Sequence, residues 1–159
     1  MTKADNQATL EGYWQAFVDW CAGEAGNAPQ GYEAWSFGNT PEMAESLGEL
    51  VRRGIKTATA SLAWWYESEG EAYPRVGGHS IVLDGRGQPL CVIQTTGVTV
   101  LPFNEVGEAH AFAEGEGDRS LAFWRRVHWD FFSAECHELG REPSDDMPVV
   151  CEKFRRVYP

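Results

Sequence analysis

The chain has 159 residues with 24 acidic against 13 basic side chains, a formal charge of −11. That length suits one domain with a true core. The charge disfavours non-specific grip on duplex DNA, because phosphates are repelled over most of the surface. The sequence lacks a run of about 18 apolar residues and a basic-then-apolar start, which predicts a cytoplasmic protein without a membrane span. Four scattered cysteines, Cys21, Cys91, Cys136 and Cys151, suggest neither a disulfide framework nor a zinc knuckle.

In chain order, Leu10, Tyr13, Trp14, Phe17, Val18 and Cys21 recur at helical spacing, predicting a packing helix over about 10–22 with Gly23 as its stop. Residues 26–38 read as a loop whose Tyr32, Trp35 and Phe37 cap the core or stack on a planar ligand. Thr40-Pro41-Glu42 starts a second helix: the hydroxyl caps free amides, proline is tolerated in the first turn, and the carboxylate suits the dipole. Met43, Leu47, Leu50 and Val51 form its expected buried stripe, and Gly54 ends it.

Ile55 to Ser61 then alternates with strand period and carries Lys56 and Thr59 three apart. Strict alternation puts these two on opposite faces, so cooperation between them requires a turn or bulge. His79–Leu83 and Leu90–Gln94 flank a glycine-bearing turn and predict a hairpin, with Thr95–Leu101 as a further strand bent at Gly97. Glu108–Glu114 reads as a short helix broken by Gly115-Glu116-Gly117-Asp118. Ser120–Leu139 reads as a long helix, and Val149–Tyr158 as a closing strand. Several short strands around one core predict a small curled sheet or barrel.

Chemistry concentrates at Lys56 with its neighbouring hydroxyls and at the acidic turn. A carboxylate near Lys56 can orient the amine or exchange protons with a substrate. Glu116 and Asp118 are rivals to Glu114 for that role and can also offer oxygens to a hard cation. His128 and His137 are candidate acid/base groups, although His128, among aromatics, also reads as a hydrogen-bonded core residue. Phosphate-binding and dinucleotide glycine fingerprints are absent.

The G-x-K-x-x-T core within Leu50–Ser61, the strand-rich middle, Ala113–Asp118 and Trp124–Phe132 together resemble the ASCH domain family, related to PUA-type RNA-binding barrels. The resemblance implies an α+β fold: a PUA-like β-barrel flanked by helices, here a single domain over 1–159. It also implies activity on RNA or modified nucleosides. Some small bacterial members deacetylate 4-acetylcytidine with a lysine, a threonine and a glutamate, which Lys56, Thr59 and Glu114 match, with Glu116 as the alternative third residue. Others bind and cut single-stranded RNA with magnesium, for which Glu116 and Asp118 are candidate ligands.

An arginine that often stands two residues after the threonine is replaced here by Ser61. The expected partner is a modified nucleoside or single-stranded RNA, contacted by Arg53, Thr57, Ser61, Trp35, Trp65 and Tyr66. The hydrolase needs no cofactor; a nuclease would use magnesium. A lysine acting as base for Thr59 must be partly neutral near pH 7, which requires burial or a cationic neighbour. A non-catalytic, nucleotide-sensing module is the remaining alternative.

Overall fold

A computed structural model describes residues 2–23 and 29–159; residues 26–28 of the expected aromatic loop lie outside them. The helices are α1 (Lys3–Cys21), α2 (Pro41–Arg52), α3 (Ala63–Glu69), α4 (Glu108–Glu114) and α5 (Leu121–Glu138). The strands are β1 (Glu33–Trp35), β2 (Ala58–Leu62), β3 (His79–Leu83), β4 (Pro89–Pro102) and β5 (Pro148–Tyr158), in the sheet order β1-β3-β4-β5-β2. By contacts the chain divides into two compact units. One holds residues up to Gly54, Gly77–Gln94 and Arg155–Pro159; the other holds Ile55–Val76 and Thr95–Phe154.

In the first unit β1 pairs parallel with β3, and β3 pairs antiparallel with β4. Helix α1 starts seven residues before the apolar stripe. Thr2 and Asp5 form a reciprocal capping box that satisfies the first free amides. Its Leu10 and Phe17 pack with Ile81 and Val92. In α2 the expected Val51 is buried together with Ala44 and Gly48, while Met43, Leu47 and Leu50 of the expected stripe are half-buried. Small residues permit the closest approach: a Cβ on Gly48 would come within 2.6 Å of Leu90 Cδ1. The turn between β3 and β4 is locked by Asp84, whose Oδ1 accepts from the amides of Arg86 and Gln88.

The second unit carries the site. Antiparallel β2 and β5 set Ala58 opposite Lys153, Thr59 opposite Glu152, Ala60 opposite Cys151 and Leu62 opposite Val149. Leu62, Val149 and Cys151 join Phe103, Trp124, Phe132, Cys136 and Met147 in one core. Removing a buried Leu or Phe side chain from such a core costs about 2–5 kcal/mol. Helix α5 starts at Ser120, whose Oγ accepts from Phe123 N at 3.1 Å, and buries Trp124, Phe132 and Cys136. The two strands expected over residues 90–101 are one continuous strand, β4.

Candidate functional site

Local backbone geometry brings the lysine segment to the acidic turn. Thr57 N donates to Ala113 O at 2.7 Å, and the Thr57 hydroxyl donates to the same carbonyl at 3.3 Å. Gly115 closes α4 at φ +72°, and a Cβ there would lie 2.6 Å from Ile55 O. Only glycine allows both that conformation and that approach. Arg119 tightens the junction by donating to Phe112 O at 3.0 Å and lying 3.6 Å above the Phe112 ring.

Lys56 and Glu114 are 2% and 1% exposed, respectively. Lys56 Nζ lies 2.9 Å from Glu116 Oε2 and 3.8 Å from Glu114 Oε1, and donates to Glu114 O at 3.5 Å. The other Glu114 oxygen accepts from the Trp124 indole N–H. His128 Nε2 is 3.1 Å from that oxygen, and His110 Nε2 is 3.7 Å from Oε1. His128 stacks on Trp124 with centroids 4.3 Å apart. Its Nδ1 lies 2.9 Å from Trp124 O. A carbonyl only accepts, so that nitrogen carries the hydrogen.

Burial pushes the Glu114 carboxyl up. The Lys56 ammonium, aided by His110 and His128, more than offsets this and holds it at about 2. Glu116, with 18% of its side chain exposed, and His128, with 13%, form the open side of the cluster. The same burial, with Glu114 adding repulsion, pushes the Cys151 thiol up to about 12 and makes it a poor nucleophile.

The structure thus brings Lys56, Glu114 and Glu116 together. Thr59 is placed by strand register, opposite Glu152 and alternate to Ala58 and Ala60. Among the expected contact residues, Thr57 braces Ala113 and Ser61 stands opposite Val150. Trp65 and Tyr66 lie in α3, with Tyr66 edge-on to Tyr73. Arg53 ends α2, and Trp35 packs edge-on to Phe37 in β1; both belong to the first unit.

Asp118 caps the start of α5 by accepting from Ser120 N. Among the described residues, Glu114, Glu116 and His128 form a set able to share a cation, with ligand atoms within 4.8 Å of one another. His110 and Trp124 join the site beyond the residues expected from the sequence. The i, i+4 spacing of His110 and Glu114 on one short helix was the available signal.

A mixed sheet carrying a buried lysine–carboxylate centre, with helices beside it, defines a PUA-like α+β domain. The ASCH domain family model matches residues 33–158, and the chain belongs to that family. It is similar to the crystal structure of an ASCH domain from Lactobacillus crispatus JV V101. That likeness has 37% identity and a TM-score of 0.84 over 99% of this chain and 97% of the other. A DUF984 protein from Enterococcus faecalis V583 is also 37% identical, with a TM-score of 0.84 over 96% of this chain and 90% of the other. A hypothetical protein at 18% identity and TM-score 0.51, covering 79% of this chain and 97% of the other, shares the fold alone. No curated protein matches the sequence. Among the described residues no helix is long and apolar enough to cross a membrane.

Proposed function

We propose that this ASCH domain is a hydrolase that removes the acyl group from a modified nucleoside of the 4-acetylcytidine type. The observation that carries the reading is the buried meeting of Lys56 with Glu114 and Glu116, residues 58 and 60 positions away in the chain. Burying one ammonium and a carboxylate costs several kcal/mol per ion unless they pair well, so such a centre is expensive as mere scaffolding.

In this reading Thr59 supplies the attacking hydroxyl. Lys56, as the ammonium of an ion pair, faces the acyl oxygen on which negative charge develops. Glu114 fixes Lys56 from the buried side, and the more open Glu116 meets the substrate. A neutral nucleoside suits a chain of charge −11 better than a polyanion does. Thr57, Ser61, Trp65 and Tyr66 are the candidate contacts in the same unit.

Release of cytidine and acetate by the purified chain tests this reading. Lys56→Ala, Thr59→Val and Glu114→Gln should each lower kcat by about 10²–10⁴. Parent-like turnover by all three would remove the assignment.

The Glu114, Glu116 and His128 set favours a second reading, metal-dependent cleavage of single-stranded RNA. Cleavage that needs magnesium, stops with chelator and weakens steeply with salt would support it over the first.

A further inference from the structure

Among the described residues Arg119 is the one non-glycine residue at positive φ, +63°. An L side chain is strained in that left-handed region, where glycine is not. The strained turn places a guanidinium. Arg119 N donates to Glu116 O at 2.9 Å, which closes the acidic turn behind the side chain. Its Nε donates to Phe112 O at 3.0 Å and its Nη2 to Ile55 O at 3.5 Å, while Cζ lies 3.6 Å from the centre of the Phe112 ring. Ile55 precedes Lys56, and Phe112 lies two residues before Glu114. The guanidinium is thus fixed to both segments that build the lysine centre.

The fold leaves two features of this pair unused. Phe112 is 58% exposed although Arg119 covers one face of its ring, so the opposite face stands open to solvent. Two N–H groups of Arg119 go to carbonyls, which leaves the rest of the fork to donate elsewhere. Among the described residues no carboxylate forms an ion pair with it, in a chain that has 24 acidic side chains. An open aromatic face stacks a planar base, and a guanidinium fork matches phosphate oxygens. The two groups are in contact, so one small ligand can engage both.

We infer that Phe112 and Arg119 form a binding site for a nucleoside monophosphate. The base stacks on the open face of Phe112, and the outward N–H groups of Arg119 hold the phosphate. One guanidinium answers one phosphate, and the −11 charge of the chain works against a longer polyanion. Stacking on a ring reads no base edge, so the site takes pyrimidine and purine nucleotides alike. The site stands on this geometry alone and holds whether or not the lysine centre hydrolyses an amide.

The test is calorimetric titration of the full chain with CMP, cytidine and inorganic phosphate, each separately. CMP should bind at least about tenfold more tightly than either half of the molecule, because it alone engages ring and guanidinium together. Arg119→Gln should weaken CMP about tenfold and leave cytidine unchanged. Arg119→Lys, which keeps the charge but loses the flat fork, should recover part of that loss. Phe112→Leu should weaken CMP and cytidine together, by about fivefold or more, and leave inorganic phosphate unchanged. Melting temperatures show which variants are folded. Should Arg119→Gln fail to fold, Phe112→Leu carries the test, since a side chain this exposed adds little to the core. Equal affinity of the parent for CMP and cytidine would overturn the inference, and so would parent affinity for CMP in a folded Phe112→Leu chain.

Discussion

Lys56 Nζ and Glu116 Oε2 meet at 2.9 Å, while the same ammonium stands 3.8 Å from the more deeply buried Glu114. The two carboxylates therefore have different work. Glu114 is enclosed by Lys56, Trp124, His110 and His128, whereas Glu116 keeps an open side.

Removing Lys56 leaves the Glu114 charge buried without its principal cation. Lys56→Met should cost about 3–5 kcal/mol in urea unfolding. Glu116→Gln should cost less, because that carboxylate is partly solvated. The double variant Lys56→Met/Glu114→Gln should be less damaged than the two single losses added together, by about 0.5–3 kcal/mol.

The depressed pKa of Glu114 makes a pH prediction. With a folded value of about 2 against 4.5 for an ordinary glutamate, the unfolded chain binds the proton first as pH falls. The contribution to stability is full above pH 4.5 and is lost between there and about 2, at up to ~1.4 kcal/mol per pH unit. Glu114→Gln should flatten that part of the acid-unfolding curve. An unchanged slope would contradict the electrostatic account of the pocket.

Glu135 behaves oppositely. Burial, with Glu138 adding repulsion, raises its pKa to about 7. The folded chain then holds the proton more tightly, so stability falls as pH rises from 4.5 through 7. Glu135→Gln should raise Tm at pH 8 and leave it unchanged near pH 4; solvent screening of this partly exposed group keeps the gain small.

Gly115 allows the acidic turn to approach Ile55. Gly115→Ala introduces strain at positive φ of about 1–2 kcal/mol and a Cβ 2.6 Å from Ile55 O. Stability should fall by at least that strain. If the cluster acts as proposed, hydrolysis should fall by more than the lost folded fraction explains, since Glu114 and Glu116 flank the displaced residue.

Much of the architecture is legible in the sequence because it is written locally. Thr40-Pro41 starts α2, the Ser120 hydroxyl caps α5, and the apolar run of Val149–Tyr158 forms most of β5. The failures are also physical. Strand β1 has three residues, too few to display a period, and α3 follows Leu62, which offers no side-chain cap. Lys56, Glu114 and Glu116 stand out as residue types near glycines. What joins them is the long-range hydrogen bond from Thr57 to Ala113, which no local pattern contains.

The most direct measurement of the central claim is chromatography of 4-acetylcytidine incubated with the purified chain. The account predicts cytidine and acetate in equal amounts, with turnover abolished by Thr59→Val and unchanged by a metal chelator. No cytidine from a folded, monodisperse preparation, or equal turnover by Thr59→Val, would contradict it.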